Sequence, residues 1–213
     1  MTVDRAKNAL TEALKQFTED LNFFDPEEPK SVHLAQRIAY AAILCGAGEI
    51  GLYTLFGAYY RSKLPDDLRL LINCQWMGKA DLKPDFQVHH AKSLQSPLFA
   101  VEFKLLYETG SYNSNPQEVV KRVKYDIEKL NKMMKAEQET GASMIVFIHS
   151  VKKMKDGLDL QAWPKSSWPS YKPVADLKGG PLKDPGSLWI GKIDHDQIIK
   201  ITGQEELEQP EGG

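Results

Sequence analysis

The chain has 213 residues, 42% hydrophobic and 26% charged, a balance that suits one globular domain and excludes extended intrinsic disorder. A formal charge of −2 excludes a global positive field, so a polyanion would have to be held by a local basic surface or through bound metal. Two cysteines, Cys45 and Cys74, lack CxxC spacing, which excludes a disulfide scaffold; each sits in an apolar stretch and is expected to be a buried free thiol.

No apolar run approaches the roughly 20 residues a membrane-spanning helix needs, and the charged, helix-like start does not resemble a signal peptide. The expectation is a cytoplasmic protein without membrane contact. Residues 1–202 read as a single domain, with a core at about 48–150, an N-terminal helical elaboration at 1–47 and a C-terminal extension at 151–202. Residues 203–213 carry four glutamates and no base, and read as an acidic, frayed tail. Across 79–135 the sign reverses, with ten bases against seven acids, so contact with an anionic polymer is expected there.

Val3, Ala6, Leu10, Leu14, Phe17 and Leu21 recur at three- and four-residue steps and predict an amphipathic helix over about 3–22. Ser31 can cap a second helix through Leu34, Ile38, Ala41 and Ala42 to about Cys45, broken by Gly46 and Gly48. A third runs from Glu49 to about Leu64, before Pro65. The period then shortens. Strands are predicted at 68–74, 85–89 and 98–106. Asn115-Pro116-Gln117-Glu118 supplies a cap, a first-turn proline and an N3 glutamate for a helix that carries Val120, Val123, Ile127, Leu130 and Met134 and stops near Gly141 as its C-cap. Residues 143–149 are apolar without alternation, as in a central strand covered on both faces. The aromatic and proline-rich stretch from 151 to 192 predicts an irregular extension, with short late strands at 188–190 and 197–201.

The 98–106 strand carries the chemistry. Alternation puts Phe99, Val101, Phe103 and Leu105 on one face and Ala100, Glu102 and Lys104 on the other, so an acid and an ammonium project together from a strand suited to burial. A buried charge needs a partner. Asp85 opens the preceding strand and points with Gln87 and His89 to one side, placing a second carboxylate next to Glu102. Two carboxylates and a backbone carbonyl make an all-oxygen site for Mg²⁺ or Mn²⁺. Lys104 beside it could orient or deprotonate a water, or stabilise charge on a phosphoryl transition state. The bland alternative is a salt-bridged surface strand.

Pro84-Asp85, sixteen residues, then Glu102-Phe103-Lys104, set among helix, three strands, helix and strand, resembles the PD-(D/E)XK nuclease superfamily over residues 48–150. The resemblance implies a restriction-endonuclease-like α/β/α core with a mixed central sheet, N-terminal helices and an irregular C-terminal extension. It implies a Mg²⁺- or Mn²⁺-dependent endonuclease of the restriction or defence type that hydrolyses DNA by metal-activated water. Asp85 and Glu102 would be metal ligands, the Phe103 carbonyl would complete the shell, and Lys104 would be the catalytic lysine. Glu49, on the helix before the first strand, matches a further acidic position, and Lys129 lies on a helix that often contributes to such sites. Gln87 and His89 are candidate substrate contacts. With near-neutral charge and no separate DNA-binding domain, a homodimer or protein partner is expected to complete the substrate groove. The competing expectation is a nuclease-like fold used as a non-catalytic assembly or recognition module.

Gly46-Ala47-Gly48-Glu49-Ile50-Gly51 matches the dinucleotide pattern GxGxxG, but helical spacing precedes it and no βαβ unit follows, so a helix break is the better explanation. His89 and His90 fall on opposite strand faces and cannot jointly chelate a metal. His149 reads as a structural histidine, and Lys121, Lys124, Lys132 and Lys135 as a solvated helix face that would contact phosphates only if it borders the cleft.

Overall fold

The apolar stripe of the first twenty residues folds as helix α1 (Thr2–Leu21), and burial of Ala6, Ala9, Leu10, Ala13 and Phe17 follows its three- and four-residue spacing. The computed structural model describes residues 2–21, 48–76, 81–107, 116–136, 140–150, 172–176, 187–194 and 198. Helix α2 (Gly48–Lys63) packs along α1 through Phe17, whose ring lies 5.7 Å from Phe56 and 5.2 Å from Tyr59. The Tyr60 hydroxyl donates to the Ala6 carbonyl at 3.1 Å, and that of Tyr59 to Asp20 Oδ2 at 2.7 Å. Burial and the adjoining Asp20 charge raise the Tyr59 phenol above its ordinary range.

Strands β1 (Leu68–Ile72), β2 (Phe86–His90) and β3 (Ser93–Tyr107) form an antiparallel meander. Helix α3 (Pro116–Ala136) then crosses to β4 (Gly141–Ser150), which lies parallel to β3. Two further strands, β5 (Lys172–Asp176) and β6 (Ser187–Asp194), complete a mixed six-stranded sheet in the order β1-β2-β3-β4-β6-β5. Helices α1 and α2 cover one face over Phe86, Val88, Phe99, Val101, Phe103 and Phe147. On the other face, α3 covers Ala100, Ala142, Met144 and Val146 with Val123, Ile127, Leu130 and Met133. The result is a mixed α/β fold with helices on both sides of the sheet.

Several expectations need correction. Residues 151–192 are not wholly irregular, because β6 pairs along β4 from Ser150 to Ser143 and so makes β4 a central strand. The expected strand at 188–190 lies inside β6, whereas Ile198, expected in a strand, is helical and buried beside α3. Gly141 is no helix cap but the first residue of β4, paired with Phe99. A Cβ on it would stand 2.5 Å from Val3 Cγ1 and 2.6 Å from Phe99 Cδ2, so close approach of α1 and β3 explains the glycine. Strand β3 starts at Ser93, five residues earlier than expected, because Ser93 pairs with His90; the register shift at His89 accommodates Pro97, which has no N–H to donate. The strand expected to end at Cys74 stops at Ile72, where Asn73 turns the chain with φ of 56°. Cys74 carries a free thiol but is only half-buried. The expected helix at 31–45 with Cys45, the Gly46-Ala47 part of the glycine pattern, the Asn115 cap and the 203–213 tail lie outside the described residues. No helix among the described residues is long and apolar enough to cross a membrane.

Candidate active site

Four chain segments converge at one end of the β2–β3 pair. Phe86 faces Val101 across the antiparallel register, so one step further out Asp85 stands against Glu102. Because Phe86, Val101 and Phe103 all enter the core under α1 and α2, alternation turns Asp85, Glu102 and Lys104 to the opposite, α3-covered face. The three residues expected to act together therefore share a face and an end of the sheet.

Strand β2 begins only at Phe86, so β3 runs on without a strand partner on that side. Carboxylates fill the gap. The Phe103 N–H donates to Asp85 Oδ2 at 2.7 Å, and the Leu105 N–H, two residues on, donates to Glu49 Oε2 at 2.9 Å. Asp85 is itself fixed by its carbonyl, which accepts from the Asn73 N–H at 2.8 Å. In an extended strand a residue's N–H and C=O point the same way, so the Phe103 carbonyl faces this carboxylate-lined edge too. Glu49, in the first turn of α2, is thus brought to the same strand edge as Asp85.

Helix α3 closes the cluster from above. Lys129 Nζ lies 2.6 Å from Glu102 Oε1 and 3.6 Å from Asp126 Oδ1, while Lys104 Nζ lies 2.8 Å from Asp126 Oδ2 and 3.9 Å from Glu49 Oε2. Asp126, 7% exposed, was missed as a site residue. Its signal was the Asp126–Lys129 pair at i,i+3, bordering the apolar stripe of Val123, Ile127 and Leu130 and hence at the edge of the buried face.

Four acids, Glu49, Asp85, Glu102 and Asp126, face two ammonium groups, Lys104 and Lys129, an excess of two carboxylates. The imbalance falls on Asp85 and Glu102. Burial, with a smaller push from the Glu49 charge and partial relief from the Phe103 N–H, lifts Asp85 to about 6. Burial and then the Asp85 charge raise Glu102 well above the ordinary glutamate range, against the pull of Lys129. For the lysines, burial alone would favour the neutral amine. The charge of Asp126 on Lys104, and of Glu102 on Lys129, outweighs it, and both are raised and stay protonated at neutral pH.

Gln87 and His89 do not fit the expected role of substrate contacts. They are 1% and 3% exposed; Gln87 donates to the Cys74 carbonyl and lies 3.0 Å from His89 Nε2, so both serve the sheet interior. His90, on the opposite face, is exposed. On α3, Lys121, Lys132 and Lys135 are exposed as expected, and Lys124 is half-buried. Lys121 also lines an open groove of about 360 Å³ that begins at Lys104 and Asp126.

Whether these groups suit a divalent ion can be judged from their atoms. The donors are all hard oxygens, the set Mg²⁺ and Mn²⁺ prefer. Glu102 Oε1 and Asp126 Oδ2 are buried and receive no well-aligned hydrogen bond, although each has an ammonium at ion-pair distance. Among the described residues no three His, Cys, Asp or Glu side chains are grouped closely enough to cage an ion unaided. Two carboxylates, one carbonyl and retained water are a smaller requirement, which Asp85, Glu102 and Phe103 fit in chemistry and placement. Comparison of the chain with protein-family models and with curated protein sequences finds no match to either.

Proposed function

We propose that the protein is a Mg²⁺- or Mn²⁺-dependent endonuclease with a restriction-endonuclease-like fold, acting on DNA phosphodiester bonds. The observation that carries this reading is the placement of Asp85, Glu102 and Lys104 on one face at one end of the sheet, with Glu49 against the same strand edge. Element order supports it, since an antiparallel meander, a crossover helix and a parallel strand surround the acid-x-lysine pair. Asp85, Glu102 and the Phe103 carbonyl would hold the ion, with Glu49 behind them. Bound there, it would supply Lewis-acid charge at the scissile phosphate and a more acidic water.

Lys104 acts in this scheme as a cation. Held by Asp126 and Glu49, its ammonium donates to a phosphate oxygen or orients the attacking water, and its raised pKa argues against a role as base in the metal-free protein. Lys129 neutralises Glu102 until metal and substrate arrive. A homodimer or protein partner is part of the proposal, because a net charge of −2 gives the chain alone little attraction for a polyanion.

The test is cleavage of supercoiled, linear and single-stranded DNA with and without Mg²⁺. Wild-type protein is expected to nick or degrade at least one substrate only with the metal, and Lys104→Ala to lose at least about a hundredfold in rate. Undiminished cleavage by Lys104→Ala would refute the assignment. One observation favours a second reading, a non-catalytic nuclease-like module: the 2.6 Å contact of Lys129 with Glu102 already gives that carboxylate a cation. A module of that kind would bind no Mg²⁺ and cut no polynucleotide.

A further inference from the structure

The groove that opens from Lys104 and Asp126 continues along α3 past Lys121, Arg122 and Tyr125. On a helix these residues fall at i, i+1, i+4 and i+5, so they form one ridge, with Tyr125 a turn beyond Lys121 and beside Asp126. Lys121 and Arg122 are exposed, and Tyr125 is 59% exposed, whereas Val123, Ile127, Leu130 and Met133 on the same helix are buried. The Tyr125 ring thus lies mostly off the core face, set between two bases and the carboxylate–lysine cluster.

The geometry points to this groove as a subsite for an unpaired nucleotide, with Lys121 and Arg122 contacting backbone phosphates and the Tyr125 ring stacking on a base. Duplex DNA offers its phosphates to the two bases but keeps its base faces stacked inside, so the exposed ring can stack only on a strand whose bases are free. The groove volume of about 360 Å³ is within the range of small-ligand sites and gives room for a nucleotide. Lys104 and Asp126 belong to both groove and cluster, so a strand lying there leads its phosphate to the reacting centre. The identity of the ligand rests on the nuclease reading; the stacking claim has its own readout.

Binding of a fluorescein-labelled single-stranded oligodeoxynucleotide and of a hairpin duplex, measured with the full chain in the absence of divalent metal, tests it. Tyr125→Ala is expected to lower the ratio of single-strand to duplex affinity about tenfold, the loss of one stacked base, and Tyr125→Trp to preserve it. Lys121→Glu combined with Arg122→Glu should weaken both ligands and flatten the salt dependence by about one unit of slope per lost phosphate contact. A ratio unchanged in Tyr125→Ala, in a protein that still cuts DNA with Mg²⁺, would overturn the subsite and leave the nuclease reading standing. A Tyr125-dependent ratio in a protein that never cuts would support the subsite and remove the nuclease reading. Because Tyr125 is a surface residue, unchanged thermal melting of the two Tyr125 variants guards against misfolding as the cause.

Discussion

Asp85 and Glu102 show how far a residue's chemistry follows from its neighbours in sequence. Alternation along β2 and β3 sufficed to put them on one side, and spacing sufficed to bring them level. Their protonation was not legible, because it depends first on how deeply the fold buries them and then on charges brought from other elements, among them Asp126 and Lys129 of α3. The lifted pKa of Asp85 has a testable consequence. Its folded-state value, about 6, lies above the ordinary 3.8, so the metal-free folded chain holds this proton at pH values where the unfolded chain has lost it. Asp85 therefore favours folding most below about pH 4, and that contribution is lost as pH rises to about 6. Denaturation in chelator at pH 4, 5, 6 and 7 should show wild-type stability falling relative to Asp85→Asn by about 2 kcal/mol across that window. Parallel profiles for the two proteins would contradict the placement of Asp85 in a buried, acid-rich site. Gln87 and His89 illustrate the opposite case: polar residues on the right face that the structure spends on each other and on the Cys74 carbonyl.

Elements were most legible where local chemistry sets them. The Pro116 start of α3 and the apolar run of β4 needed no tertiary information, and their positions agree with the sequence to within a residue or two. Elements defined by distant partners were not legible. The bounds of β6 come from its pairing with β4, and the passage of β3 through Pro97 depends on a register shift in β2. Gly141 is the sharpest example, since its two close neighbours, Val3 and Phe99, are remote in the chain. Gly141→Ala should drive a methyl group into both and destabilise the fold by about 1–3 kcal/mol, read as a lower denaturation midpoint at unchanged slope. A variant as stable as wild type would show that α1 does not press on β4 at this point. Such a change lies on the α1 side of the sheet, away from the carboxylates, so it separates stability from chemistry.

For the whole molecule, the order of elements and the helix–sheet–helix layering were readable from hydrophobic period, and the two-faced burial of β4 required just such layers. What period could not supply was the six-stranded extent of the sheet, because β5 and β6 come from a stretch whose prolines and aromatics mask any alternation. The site draws on α2, the approach to β2, β3 and α3, so its integrity depends on both helical layers being docked. Acidic excess at that junction is the physical claim on which the proposed activity rests: four carboxylates there meet two lysines, and in the proposal a divalent ion would supply the remaining positive charge. Calorimetric titration of the metal-free protein with Mn²⁺ at pH 7 tests this most directly. The account predicts saturable binding that is lost in Asp85→Asn and in Glu102→Gln; no binding by wild type, or equal binding by the three proteins, would contradict it.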